Sequence, residues 1–89
     1  MNVQEVLKRL VEIAVKSLNA ENALQAVGFD STPYFDIYGS AADAIYYLIG
    51  EKTNTFDESV TYTVLHSDQY SNDQRVGILM YEYERNNNA

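Results

Sequence analysis

Residues 59–66, SVTYTVLH, decide the fold class that the sequence predicts, because no other segment has so clear a local pattern. β-branched and aromatic residues dominate this segment, and such residues are common in strands. Successive side chains of a strand point to opposite faces of its sheet. The predicted strand therefore has two faces, one formed by Val60, Tyr62 and Val64 and the other by Thr61, Thr63 and Leu65.

A second long strand is predicted over residues 75–84, RVGILMYEYE. The intervening residues 67–74, SDQYSNDQ, are rich in turn formers, so the two strands are expected to form a hairpin. The side chains of the second strand again divide between two faces, formed by Val76, Ile78 and Met80 and by Gly77, Leu79, Tyr81 and Tyr83.

A shorter strand followed by a helix is predicted upstream of this hairpin. Residues 34–38, YFDIY, alternate as a strand does, and Gly39 ends the alternation. Ser40 is a suitable N-cap, and Asp43 stands three residues later, where a capping box carries an acid. The helix that begins there is expected to end at Gly50.

The N-terminal region is predicted to be helical. Apolar residues recur at the spacing of an amphipathic helix over residues 3–18. This helix either continues to Val27 or is followed by a short second helix that begins at Asn19. Gly28 is suited to a left-handed C-terminal cap, with Phe29 folding back onto the helix.

These elements predict a two-layer α+β fold in a single domain of residues 1–89, in the order α-(α)-β-α-β-β. A polar link is expected at residues 51–58 and a frayed tail at residues 86–89. The helices would cover the sheet face that carries Val60, Tyr62, Val64, Val76, Ile78 and Met80. The opposite face would stay partly open, and it offers a candidate homodimer surface formed by Leu65, Leu79, Tyr81 and Tyr83.

Composition limits the classes of partner. The net charge is −7, and all of the excess negative charge falls in residues 28–89, because acids and bases cancel in residues 1–27. Direct nucleic-acid binding is disfavoured, since it depends on clustered lysine and arginine. An acidic surface instead attracts basic proteins, although the same charge also serves solubility alone. With no cysteine, no signal-peptide pattern and no membrane-length apolar run, the chain is predicted to be cytoplasmic and not membrane-bound.

No residue pattern indicates an enzyme. His66 is the only histidine, and in a strand Ser67 would point away from His66 and Asp68, which disfavours a catalytic triad. Oxygen atoms of Asp68, Ser71, Asn72 and Asp73 could surround a calcium ion. This loop, however, lacks the glycine and the final glutamate of an EF-hand calcium site, which disfavours calcium binding. The paired acids Asp57 and Glu58 are expected to be solvated. We therefore expect no catalytic residue, metal or cofactor.

The eight tyrosines favour protein binding, because each ring combines a large apolar surface with a polar tip. Some must serve the core of so small a protein. The candidates for exposure are Tyr46, Tyr47, Tyr81 and Tyr83.

Three features in sequence order suggest a family. They are the acidic–serine turn Asp30-Ser31, a helix that ends in LIGEK at residues 48–52, and a loop with the pattern Asp68…Ser71…Asp73…Val76. In these features the chain resembles the phage inhibitors of uracil-DNA glycosylase, which are small acidic α/β proteins that mimic DNA. The resemblance implies that Asp30, Ser31 and Asp36 imitate phosphates, with added charge from Asp43. It further implies a pocket for an apolar residue of the enzyme, lined by Ile45, Leu48, Ile49, Tyr62, Ile78 and Met80.

The functional hypothesis is accordingly a non-enzymatic inhibitor that blocks a basic nucleic-acid-binding host protein by DNA mimicry. Uracil-DNA glycosylase is the first candidate target. Two alternatives remain open: an anti-CRISPR or similar host-defence inhibitor, and a structural module that self-associates through the tyrosine-rich hairpin face.

Overall fold

The computed structural model describes residues 2–50 and 56–87, and these two ranges contain four α-helices and no strand. The helices are α1 (Val3–Ala26), α2 (Thr32–Gly50), α3 (Glu58–His66) and α4 (Asn72–Asn87). The predicted α+β class is therefore wrong, and the described part of the protein is all-helical.

The N-terminal helix follows the longer of the two predicted alternatives, since α1 runs unbroken from Val3 to Ala26. Its C-terminal cap is confirmed. Gly28 adopts a φ of 79°, and its N–H donates to the carbonyl oxygen of Gln25 at 3.2 Å. The N–H of Phe29 reaches back to the carbonyl oxygen of Leu24 at 2.9 Å. These two bonds make a Schellman motif, which satisfies carbonyl groups that the end of the helix leaves free.

The strand predicted at residues 34–38 is wrong, because α2 already begins at Thr32. A carboxylate oxygen of Asp30 accepts hydrogen bonds from the N–H of Thr32 at 3.0 Å and from its hydroxyl at 2.7 Å. The carbonyl oxygen of Ser31 then accepts from the N–H of Phe35 at 3.0 Å, which closes the first helical turn. Capping by Asp30 and Ser31 thus starts the helix before the alternating segment is reached.

The predicted helix start at Ser40 is consequently wrong as well. Gly39, Ser40 and Asp43 lie inside α2, where Ser40 has no free helix end to cap. At its other end α2 reaches Gly50, the residue where the helix was predicted to end, and the residues that follow Gly50 lie outside the described part of the chain.

The segment 59–66 is helical despite its strand-like composition. The side chain of Asp57 accepts a hydrogen bond from the N–H of Ser59 at 2.9 Å and caps α3. Thr61, Val64 and Leu65 are buried, at the i, i+3, i+4 spacing of one helix face. Intrinsic propensities differ by only about 1 kcal/mol per residue or less, so burial of this face outweighs the preference of β-branched residues for strands.

The second predicted strand is also a helix, and a reciprocal capping box begins it. The Ser71 hydroxyl accepts from the N–H of Gln74 at 3.2 Å, and the Gln74 side-chain oxygen accepts from the N–H of Ser71 at 2.8 Å. Val76 and Leu79 then turn inward at helical spacing. A capping box satisfies two donors at a helix N-terminus, which stabilises the helix over a hairpin strand.

Arg75 joins α3 to α4. Its side chain is buried, and Nε donates to the carbonyl oxygen of Val64 at 3.1 Å. Nη2 donates to the carbonyl oxygen of Ser67 at 2.8 Å, and Nη1 to the side-chain oxygen of Asn72 at 2.7 Å. The guanidinium group therefore caps the C-terminus of α3 from the first turn of α4.

One apolar core draws on all four helices. Its buried members include Leu7 and Val11 of α1, Ile45 of α2, Leu65 of α3 and Leu79 of α4. The prediction that one sheet face forms the core is therefore wrong. Only Val64 and Val76 of that face are buried, and Val60, Tyr62, Ile78 and Met80 lie partly buried around the core.

The predicted link and tail are only partly described. Residues 51–55 of the link and residues 88–89 of the tail lie outside the described residues. Within the described part, Phe56 is buried in the core. Asn86 and Asn87 belong to α4 rather than to a frayed tail, and Asn87 Nδ2 donates to the carbonyl oxygen of Ile49 at 3.2 Å.

Candidate protein-binding surface

Exposed apolar side chains gather at the turn between α1 and α2. No residue from 27 to 37 is buried, so the other described helices leave this end of the molecule uncovered. Apolar side chains of this size are mostly buried in folded proteins, and an exposed group of them is typical of an interaction site. The five members are Val27, Phe29, Tyr34, Phe35 and Ile37, each at least 40% exposed. We refer to these five residues as the turn surface.

A shallow apolar groove adjoins the turn surface between α1 and α2. Its volume is about 380 Å³. Leu10 and Ile13 line it from α1, while Ile37 and Ala41 line it from α2. Two polar residues of α2, Asp36 and Ser40, complete its wall, so that a carboxylate stands directly beside an apolar depression.

Three carboxylates accompany this apolar surface. Asp30 lies within the turn, and the N–H of Thr32, followed by its hydroxyl, lowers the pKa of Asp30 by hydrogen bonding. Asp36 and Asp43 are exposed on α2, seven residues apart. Seven residues are close to two helical turns, so both side chains share one face and are separated by about 10 Å along the helix axis.

The charge around this surface is negative. No lysine or arginine occurs between Lys16 and Lys52. Beyond α1 the described residues carry nine carboxylates against two arginines, and one of these, Arg75, is buried. The acidic residues are Asp30, Asp36, Asp43, Asp57, Glu58, Asp68, Asp73, Glu82 and Glu84.

The structure brings together one part of the predicted site and separates another. Asp30, Ser31, Asp36 and Asp43 all lie in the α1–α2 turn or on α2. The expected pocket residues instead belong to the core. Ile45 and Ile49 are fully buried in the core, and the partly buried residues Leu48, Tyr62, Ile78 and Met80 pack against that core.

The predicted homodimer face is not assembled either. Leu65 and Leu79 are buried in the core, where they are unavailable to a second copy. Tyr81 is exposed, whereas Tyr83 is partly buried. The four residues were grouped by the two-residue period of a strand, and that grouping does not hold on helices.

The candidate catalytic and calcium-binding residues have structural partners. The ring of His66 packs edge-on against that of Tyr38, with centroids 5.2 Å apart. Of the side chains considered and disfavoured as calcium donors, Ser71 takes part in the capping box and Asn72 accepts a hydrogen bond from Arg75. Within residues 2–50 and 56–87, no three histidine or acidic side chains are grouped closely enough to hold a metal ion.

Tyr38 is an ionisable group whose pKa is strongly shifted by its surroundings. Burial raises its pKa to about 12, with smaller contributions from Tyr62 and Glu21. Its hydroxyl has no hydrogen-bond partner among the described residues. A phenol with this pKa remains protonated at neutral pH and is poorly suited to acid–base chemistry.

No helix in the described part of the chain combines the length and the apolar character that crossing a bilayer would require. No protein-family model matches the sequence, and no curated protein and no solved structure is significantly similar to it. The interpretation of the surface therefore depends on its own chemistry.

The apolar half of this surface was not predicted from the sequence. The signal was a run of large apolar residues around a glycine-capped turn, in VGF at residues 27–29 and YFDI at residues 34–37. Residues 34–37 were assigned to a strand and Gly28 and Phe29 to a helix cap, and neither assignment predicts an exposed apolar surface.

Proposed function

We propose that this chain is a non-enzymatic binding protein that covers the nucleic-acid-binding site of a basic protein. The observation that supports the proposal best is the position of Asp36 in the wall of the apolar groove, next to the turn surface. Carboxylates and exposed apolar side chains thus occupy one end of the molecule, in a stretch without lysine or arginine.

The two components have separate physical roles. Apolar and aromatic side chains at the centre of an interface supply most of its binding energy through burial. Charges of one sign on its edge accelerate encounter with an oppositely charged partner. A site that binds phosphates is basic, so Asp36 and Asp43 would compete with nucleic acid for it.

The choice of target follows from the same surface. The resemblance to uracil-DNA glycosylase inhibitors implied a pocket between a helix and a sheet, and the described residues form neither a sheet nor that pocket. We therefore propose the wider class of acidic inhibitors. Uracil-DNA glycosylase remains the first enzyme to test, and an RNA-guided nuclease of bacterial defence is the second, as the anti-CRISPR alternative requires.

The test is displacement of DNA from each of these two enzymes, measured by fluorescence anisotropy of the labelled DNA. The double variant Asp36→Lys/Asp43→Lys changes the net charge from −7 to −3. We expect it to weaken displacement by about tenfold or more, chiefly through slower association. The matched variant Glu5→Lys/Glu12→Lys makes the same charge change on α1 and should remain within about twofold of wild type.

A second variant examines the apolar component. Phe35 is 58% exposed, so Phe35→Ala is expected to leave the fold intact. We expect it to weaken displacement by about tenfold, which corresponds to about 1.4 kcal/mol at an interface centre. If the two charge-reversal variants lose DNA displacement equally, net negative charge alone explains the effect and the proposal is refuted. If the folded wild-type protein displaces DNA from neither enzyme, the proposal is refuted for both targets.

A further inference from the structure

A second surface depression lies on α4 and the loop before it, away from the turn surface. Its volume is about 450 Å³. Among the described residues it is lined by Tyr70, Gln74, Gly77, Ile78 and Tyr81. Tyr81 is 62% exposed and Tyr70 is 36% exposed, so two aromatic rings border the depression without being buried by the core. We refer to it as the tyrosine slot.

Gly77 contributes no side chain to the slot. A β-carbon at this position would meet no atom within 4 Å beyond its own helix backbone and chain neighbours, so no other part of the described protein fills this space. Glycine in the middle of a helix costs about 0.5–1 kcal/mol relative to alanine. Close packing does not explain this glycine, because no neighbouring element approaches Gly77.

Hydrogen bonds hold the main chain at one end of the slot. Tyr70 directly precedes Ser71, which forms the reciprocal capping box with Gln74. The loop and the first turn of α4 are therefore tied together, and the main chain at Tyr70 is held next to Gln74. A preformed site loses less conformational entropy on binding than a flexible one.

The charge around the slot is negative. Asp73 precedes Gly77 by four residues and Glu84 follows it by seven, so both exposed carboxylates share the helix face of Gly77. The nearby positive charge of Arg85 is partly neutralised by Glu82, whose carboxylate lies 3.5 Å away. The slot thus combines aromatic rings with nearby carboxylates.

We propose that the tyrosine slot binds an arginine side chain of a basic protein. A guanidinium group is planar and weakly hydrated, so it stacks on aromatic rings more readily than an ammonium group does. The rings of Tyr70 and Tyr81 attract a cation through their electron-rich faces. Asp73 and Glu84 add long-range attraction from the same face of the helix. None of these residues belongs to the turn surface, so this proposal stands or fails independently of the proposed function.

The experiment uses blocked arginine, N-acetyl-arginine methylamide, as the probe. Amide chemical shifts of the whole protein are followed by NMR during titration into the millimolar range. We expect saturable shifts at Tyr70, Gln74, Gly77, Ile78 and Tyr81. The corresponding citrulline derivative has the same shape without the charge and should bind at least several-fold more weakly. A lysine derivative that binds as tightly as arginine would overturn the assignment to a guanidinium group.

Two exposed tyrosines provide a matched pair of variants. Tyr81→Ala removes one ring of the slot, and Tyr47→Ala removes a ring on α2 that is 68% exposed. We expect Tyr81→Ala to weaken arginine binding by about two- to fivefold, the range of one exposed cation–π contact, and Tyr47→Ala to leave it unchanged. Equal effects of the two variants, or equal binding of arginine and citrulline, would refute the proposal.

Discussion

Removal of the buried Arg75 side chain should strongly destabilise the protein. Arg75→Ala deletes three hydrogen bonds from one guanidinium group, at 2.7, 2.8 and 3.1 Å. It leaves the carbonyl oxygens of Val64 and Ser67 without their donor at the end of α3. The bond to Val64 is buried, so water cannot easily replace it.

The magnitude follows from the environment of each bond. A hydrogen bond from a charged group contributes about 1.5–3 kcal/mol, and a buried acceptor left unsatisfied costs about 1–3 kcal/mol. The bonds to Ser67 and Asn72 are only partly buried and are partly replaced by water. We therefore expect a loss of about 2–4 kcal/mol in the free energy of unfolding. For a domain of this size, 3 kcal/mol corresponds to a decrease in Tm of roughly 12–24 °C.

The assay is urea unfolding followed by far-ultraviolet circular dichroism. The control is Arg85→Ala, which removes the same side chain and the same charge from the same helix. Arg85 is exposed and is paired with Glu82 on the helix surface, so we expect a loss below about 0.5 kcal/mol. If the two variants unfold at the same urea concentration, Arg75 does not act as a cap and the assignment is wrong. Arg75→Lys should recover only part of the loss, because one ammonium group cannot reproduce the geometry of the guanidinium fork.

Two further predictions concern Tyr38 and Gly28. Because burial raises the pKa of Tyr38 from 10.0 to about 12, its contribution to stability is complete below pH 10 and is lost as the pH rises towards 12. Tyr38→Phe should therefore reduce the fall in unfolding free energy over this range, and parallel pH curves for the two proteins would contradict the prediction. Gly28→Ala should cost about 1–2 kcal/mol because φ is 79°, whereas Gly39→Ala, inside α2, should be neutral or stabilising in the same urea assay.

The N-terminal half of the fold was largely accessible from the sequence. The apolar spacing of residues 3–18 and the Gly28 cap are strong local signals, and both correspond to the observed α1. The presence of a helix over residues 41–50 was also predicted correctly. The start of α2 was not predicted correctly, because Asp30 and Ser31 were assigned to a turn and not to a helix cap.

The C-terminal half was assigned incorrectly because weak signals were given too much weight. In residues 76–81 apolar and small residues follow one another without interruption, so they fit a period of two as well as one of 3.6. The capping box of Ser71 and Gln74 distinguished the two structures, and it is visible in the sequence. Asp57 likewise marked the start of α3. The contacts of Arg75 could not be predicted, because they depend on how α3 and α4 meet.

The candidate surface was predictable in its charge and not in its shape. The acidic residues Asp30, Asp36 and Asp43 were identified from the sequence, since a charge imbalance does not depend on the fold. The groove requires α1 and α2 to lie side by side, and the slot requires a helix at Gly77. Both features therefore followed only once the helices were known.

The short length of α3 affects how the protein unfolds locally. A helix of nine residues is below the length of about 12–15 residues that is even marginally stable alone in water. Its persistence therefore depends on the burial of Thr61, Val64 and Leu65 and on the donors that Arg75 provides from α4. Transient detachment of α4 would remove these donors, and α3 would then unwind with it. Amide hydrogens of both helices should consequently exchange with solvent as one cooperative unit, ahead of those in the middle of α1.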